Sequence, residues 1–100
     1  MGFLSDLTSR AAIAAQGKDL ARQFAKRLPR ERIEDEKRVV AEFEILAGNA
    51  LGYQRRASLG FYGKSSLVNN LQWALIEDGY PQEFAKRIGS ELAMKLAATA

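Results

Sequence analysis

Gly60-Phe61-Tyr62-Gly63-Lys64-Ser65 holds the residue types that grip phosphate in nucleotide-binding loops: glycines that let backbone amides wrap an anion, a lysine and a hydroxyl. The full pattern, G-x-x-x-x-G-K-[ST], needs its first glycine at position 58, where this chain has Ser58, and a preceding strand, of which the sequence shows no sign. The segment therefore reads as a glycine-rich break between helices, closed by a serine cap. Arg55-Arg56-Ala57-Ser58 matches the R-R-x-S pattern of basophilic kinases, but such kinases read extended peptides and this stretch falls near a helix end. Phe84-Ala85-Lys86-Arg87-Ile88-Gly89 has the small residue and the glycine that flank the turn of a helix-turn-helix. Ser90 to Leu96 then keeps the phase of Phe84 and Ile88, so one straight helix is expected there rather than a DNA-reading motif.

The chain has 100 residues without one histidine or cysteine. The usual near-neutral acid/base group, the commonest metal ligand, the thiolate nucleophile and any disulfide are all missing. The carboxylates fall mostly at helix starts and on polar faces, with no pair aimed into a shared apolar pocket. The expectation is a non-enzyme with no catalytic residues, no cofactor and no metal.

Hydrophobic residues make up 47% of the chain and charged residues 27%, with a formal net charge of +3, which is enough for one core and a weak overall field. Lys18, Arg22 and Lys26 follow one another at i,i+4 spacing and lead to Arg27 and Arg30, so a nucleic-acid-binding surface is the second functional reading. Against it, cations suit a helix C-terminus, and Glu31 to Glu36 follow at once. No apolar run is long enough to span a bilayer. The start, Met1-Gly2-Phe3-Leu4-Ser5-Asp6, lacks a secretory pattern, and the alanine-rich first helix is a weak membrane-lying helix. A cytoplasmic protein without a membrane partner is expected.

These side chains must be carried by helices. Prolines are limited to Pro29 and Pro81, alanine and leucine dominate, and apolar residues recur at helical spacing with no strand-length alternation. The spacing predicts a single all-α domain over 1–100, a four-helix bundle with helices near 5–28, 31–58, 65–78 and 81–98. Ser5 is the expected first N-cap, and Pro29 ends the first helix. Its apolar face is Leu7, Ala14, Ala21, Phe24, Ala25 and Leu28. The second helix carries Val39, Val40, Phe43, Leu46, Ala47, Ala50 and Ala57 in phase across Gly48-Asn49, so it is expected to continue through the glycine. The third helix is expected to start at Ser65 or Ser66 and the fourth at Pro81, with Asp78-Gly79-Tyr80-Pro81 as the turn of a C-terminal αα-hairpin.

Two stripes exceed what a core needs. On the third helix, Leu67, Val68, Leu71, Ala74 and Leu75 form one face, while Trp73 and Ile76 point away. On the second, Ala41, Ile45, Gly48 and Gly52 make a narrow small-residue stripe, although each glycine costs a helix up to about 1 kcal/mol against alanine. A continuous second helix from Ile33 to Ala57 would span about 38 Å and overhang its shorter neighbours. The resulting expectation is a non-enzymatic interaction module. It would associate as a homo-oligomer or with another protein through Trp73, Ile76, Ala41, Ile45, Gly48 and Gly52. A break at Gly48-Asn49 would instead imply a monomer.

Overall fold

The computed structural model describes residues 9–98 and shows an all-α bundle. Its helices are α1 (Arg10–Arg27), α2 (Glu36–Ala57), α3 (Phe61–Glu77) and α4 (Gln82–Ala98), with a short 3-10 turn at Arg30–Arg32 between the first two. The expected cap Ser5 and the apolar Leu7 lie outside the described residues. Within them, Ser9 caps α1 by accepting from the Ala12 amide at 3.1 Å. Leu28 ends α1 in an extended conformation, as the residue before a proline must.

The second helix starts later than the acidic run suggested. Arg30–Arg32 forms only a 3-10 turn, closed from Arg32 N–H to the Pro29 carbonyl at 2.9 Å. Asp35 then adopts extended backbone and accepts from the Arg38 amide at 3.3 Å. A side chain that caps this well sets the helix start at Glu36, so Glu31 and Glu34 sit outside the first turn. From there α2 runs unbroken through Gly48 and Asn49 to a left-handed Ser58 (φ 52°).

α3 begins a turn before Ser65 and Ser66, with Gly60 as its N-cap, and takes Gly63 and Lys64 into its first turns. The reason is Leu59, which is buried and folds back over Gly63 in the space a side chain there would fill. The expected glycine-rich loop is thus helix. At the other end of α3, Gly79 (φ 104°) and Tyr80 close a Schellman turn, donating to the carbonyls of Ile76 at 3.0 Å and Leu75 at 3.1 Å.

α1 and α2 form one hairpin, α3 and α4 another, and the two lie side by side. Gly17 of α1 lies against Leu67, Asn70 and Leu71 of α3, and Tyr80 just beyond α3 donates its hydroxyl to the Leu28 carbonyl just beyond α1, so these helices run in the same direction. Glu36 with Arg87, and Glu44 with Lys95 at 3.9 Å, pair in the same order along α2 and α4. The neighbours around the bundle are therefore α1, α3, α4 and α2, which leaves α2 and α3 diagonal.

The core holds Ile13, Leu20 and Phe24 of α1, Val39, Phe43 and Leu46 of α2, Leu67, Leu71 and Leu75 of α3, and Phe84, Ile88, Leu92 and Leu96 of α4. Ala14 and Ala25, expected inside, are only half-buried, and Val40 is exposed. On α1 it is Ile13 and Leu20 that face inward instead. Phe24, Tyr80 and Phe84 pack ring against ring, with Tyr80 and Phe84 stacked at 5.5 Å. Burial pushes the Tyr80 phenol up to about 12.

A Cβ at Gly17 would stand 2.8 Å from Asn70 Cβ and 3.1 Å from the Leu67 carbonyl, whereas one at Gly48 would meet nothing within 4 Å. Gly17→Ala should therefore lower stability by roughly 1–2 kcal/mol, overpacking exceeding the gain in helix propensity. Gly48→Ala should raise it by roughly 0.5–1 kcal/mol. Urea unfolding at a dilution that keeps the chain monomeric measures both. The folded phenol of Tyr80 holds its proton more tightly than the unfolded one, so stability should be level below pH 10 and fall as pH rises towards 12. Tyr80→Phe should flatten that loss in thermal unfolding.

Candidate interaction surfaces

Three surfaces follow from this packing. In a ring of four helices each helix turns one face outward. α2 turns out the side opposite Val39, Phe43, Leu46 and Ala50, which puts Ala41, Ile45, Gly48 and Gly52 along its outer edge. Ala41 and Gly48 are exposed, Ile45 is 44% exposed, and Gly52 is half-buried with the Arg56 side chain over it. A polar groove toward α1, lined by Gln16, Leu20, Gln23, Asn49 and Arg56, borders the two glycines.

α3 turns out Tyr62, Asn69, Trp73 and Glu77, because Leu67 and Leu71 face α1 and the core while Gln72 covers Gly89 of α4. The indole of Trp73 is 56% exposed, and Ile76 is half-buried against the core. The structure separates the two stripes onto opposite sides of the bundle, since α2 and α3 are diagonal. They are two surfaces, not one.

The basic row is the third. Lys18, Arg22 and Lys26 are all exposed on α1 and line a shallow groove toward α3 whose other wall is Ala74, Glu77 and Asp78. None of the three forms an ion pair among the described residues. Arg30 does not line this groove; its side chain lies over Gly79, next to Asp78 at the groove's end, where a Cβ would strike its Cδ at 2.9 Å. Two carboxylates opposite three cations make this groove mixed in charge rather than a phosphate track. Ser58 of the Arg55-Arg56-Ala57-Ser58 stretch is the left-handed cap of α2, a geometry unlike an extended kinase substrate.

Elsewhere the charges are used between helices. Arg27 donates to Glu42 at 3.0 Å across α1 and α2, and Arg38 donates to the Arg27 carbonyl at 2.8 Å, satisfying an open helix end. Arg87 binds Glu36 across α2 and α4 and Glu91 along its own helix at 3.2 Å. The hydrogen bond from Arg87 holds the Glu36 carboxyl below the ordinary value and raises Arg87 in turn. Among the described residues no three acidic side chains converge in a way that would hold a metal ion, and no helix is long and apolar enough to cross a membrane.

The sequence pattern singled out the outer stripes but passed over a fourth feature. Phe61 and Tyr62 are 76% and 85% exposed, and their rings meet edge to face at 5.5 Å. The signal was in the chain: two adjacent aromatics directly after Gly60. Reading that segment as a loop hid the fact that a helix start holds them outward.

Comparison with known protein families, curated proteins and solved structures finds no match to this chain.

Neutralising the acidic wall with Glu77→Gln and Asp78→Asn should leave the basic row unopposed and raise the salt needed to elute the protein from heparin. Charge reversal at Lys18, Arg22 and Lys26 should lower it. Heparin elution that ignores both sets of variants would remove the row from any account of anion binding.

Proposed function

We propose that this chain is a non-enzymatic, helical protein–protein interaction module that self-associates through the outer face of α2. The observation that carries the reading is the open space at Gly48 on a straight, 22-residue helix. The bundle itself uses Gly17 and Gly89, where α1 meets α3 and α4 meets α3. It makes no such use of Gly48, although a glycine there costs the helix up to about 1 kcal/mol against alanine. Close approach of a second backbone would account for it.

A second copy is the partner the face fits best. Ile45 projects beside the bare backbone at Gly48, so in a two-fold pair of α2 helices the isoleucine of each copy meets the gap of the other. Such a face is complementary to itself, as a two-fold interface requires. Trp73 offers a separate contact surface on the far side, with Ile76 beside it turned partly against the core, and tryptophan is the residue type most enriched at binding hot spots. The ion pairs between helices give Glu36, Glu42 and Glu44 a structural use, in keeping with a non-enzyme. Nucleic-acid binding through Lys18, Arg22, Lys26 and Arg30 is the weaker reading, because Glu77 and Asp78 face the row.

Sedimentation equilibrium over a range of concentrations tests the proposal. The wild-type chain should associate, and Gly48→Leu should weaken association at least tenfold, since overpacking of a close contact costs about 1–3 kcal/mol. Trp73→Ala should leave the α2 contact intact and abolish only assembly beyond the dimer or capture of a further partner. A wild-type chain that stays monomeric at high concentration would rule the reading out.

A further inference from the structure

We propose that the end of the bundle where α2 passes into α3 is a docking tip for an anionic lipid surface, with Phe61 and Tyr62 as its apolar wedge and Arg55 and Lys64 as the cations beside it. The inference is independent of self-association through α2.

The two aromatics stand at the first turn of α3, more exposed than any other large hydrophobic side chain among the described residues. They pack on each other and on nothing that would account for their outward position. Leu59, next to them in sequence, is buried and anchors the start of α3 by covering Gly63, so the wedge has a fixed base. Arg55 and Lys64 line a single cleft with Gln54 and Ser58, directly beside the aromatics in the chain. Arg55 is exposed on the last turn of α2, whereas the Arg56 side chain turns back over Gly52, away from this cleft.

Among the described residues the charge at this end is of one sign. Between Ile45 and Ile76 the sequence has no aspartate or glutamate, while Arg55, Arg56 and Lys64 all fall inside that stretch. None of the three forms an ion pair among the described residues. α1 starts at the same end, since Ala12 shares a groove with Tyr53, and it adds an exposed Arg10. The first acid of α1 is Asp19, two turns further along and hydrogen-bonded to Gln23; Asp6 lies outside the described residues. The opposite end of the bundle holds Arg27–Glu42 and Arg87–Glu36, where cations are matched by carboxylates.

An exposed apolar knob beside cations that have no ion pair among the described residues suits the boundary of a bilayer. Aromatic rings rest among the headgroups there, and Lys and Arg meet the negative surface. A single-stranded nucleic acid would also use cations and aromatics, but it stacks successive bases on open ring faces. Here the two rings meet at 76°, edge against face, which favours a wedge over a platform. The sequence-based expectation of no membrane partner rested on spanning runs and on the weak apolar face of α1, and neither concerns this tip.

Co-sedimentation of the full chain with phosphatidylcholine vesicles, with and without phosphatidylglycerol, tests the proposal. Binding should appear only with the anionic lipid and fall with added salt. Arg55→Glu with Lys64→Glu should weaken it by about 25-fold or more, since each cation near such a surface contributes roughly fivefold. Arg55→Lys should retain it. Phe61→Ser with Tyr62→Ser should cost about tenfold or more, and Gly48→Leu should leave binding unchanged. None of the altered side chains lies in the core, and an unchanged circular dichroism melt confirms folding. Absence of binding to anionic vesicles at low salt overturns the proposal, as does binding that both double variants leave intact. Loss of oligothymidine binding in those variants, without any vesicle binding, assigns the tip to nucleic acid and overturns it as well.

Discussion

The close crossing of α1 and α3 at Gly17 sets the arrangement of everything else. With no side chain at that position, the backbone of α1 reaches the Leu67 carbonyl and the Asn70 side chain. Leu67, Leu71 and Leu75 are thereby committed to the interior. The phase of the helix then leaves Trp73 no inward option: it lies roughly opposite those leucines at about 100° per residue. On the other side of the crossing, Ile13, Leu20 and Phe24 turn in and Lys18, Arg22 and Lys26 turn out. One missing Cβ thus orients both the basic row and the indole.

The lock at the other end of this helix pair is aromatic. Tyr80 donates to the Leu28 carbonyl, stacks on Phe84 and touches the Phe24 ring, so the turn between α3 and α4 is tied to the end of α1. Leu28 precedes Pro29, and a carbonyl at a proline-terminated helix end is one of those that lacks an intrahelical partner. Burying the phenol beside it satisfies both groups, which is why Tyr80 can be interior despite its hydroxyl.

Charge is sorted along the bundle axis. The end that holds the α1–α2 and α3–α4 turns carries acids and bases in interhelical pairs, whereas the end holding the α2–α3 link carries, among the described residues, cations alone. The helices themselves do not require this sorting: the α3 start has no acid in its first turn, although its amides would favour one. A feature that the fold does not need is where an external ligand is best sought, and the same logic singles out Gly48.

Much of the architecture was written in spacing. The turn Asp78-Gly79-Tyr80-Pro81 was legible because a Schellman closure depends on a glycine and its immediate neighbours. The interior face of α4, Phe84 through Leu96, was legible because its period never breaks. The continuity of α2 through Gly48 follows from the phase of Val39, Phe43, Leu46 and Ala50 on either side of it. The start of α3 was not legible: it is decided by Leu59 folding onto Gly63, and glycines read in isolation look like a loop. Nor was the start of α2, where one capping carboxylate at Asp35 outweighed a run of acidic residues before it. The sequence by itself determined that there would be four amphipathic helices and two surplus apolar stripes, because periodicity is a property of residues a few positions apart. Only the tertiary structure decided that the stripes face opposite ways, that Glu77 and Asp78 face the basic row and that Phe61 and Tyr62 stand outward at the α2–α3 end. Those outcomes depend on which helix lies beside which, and that is set by contacts between residues some fifty positions apart, such as Gly17 with Asn70 and Leu28 with Tyr80.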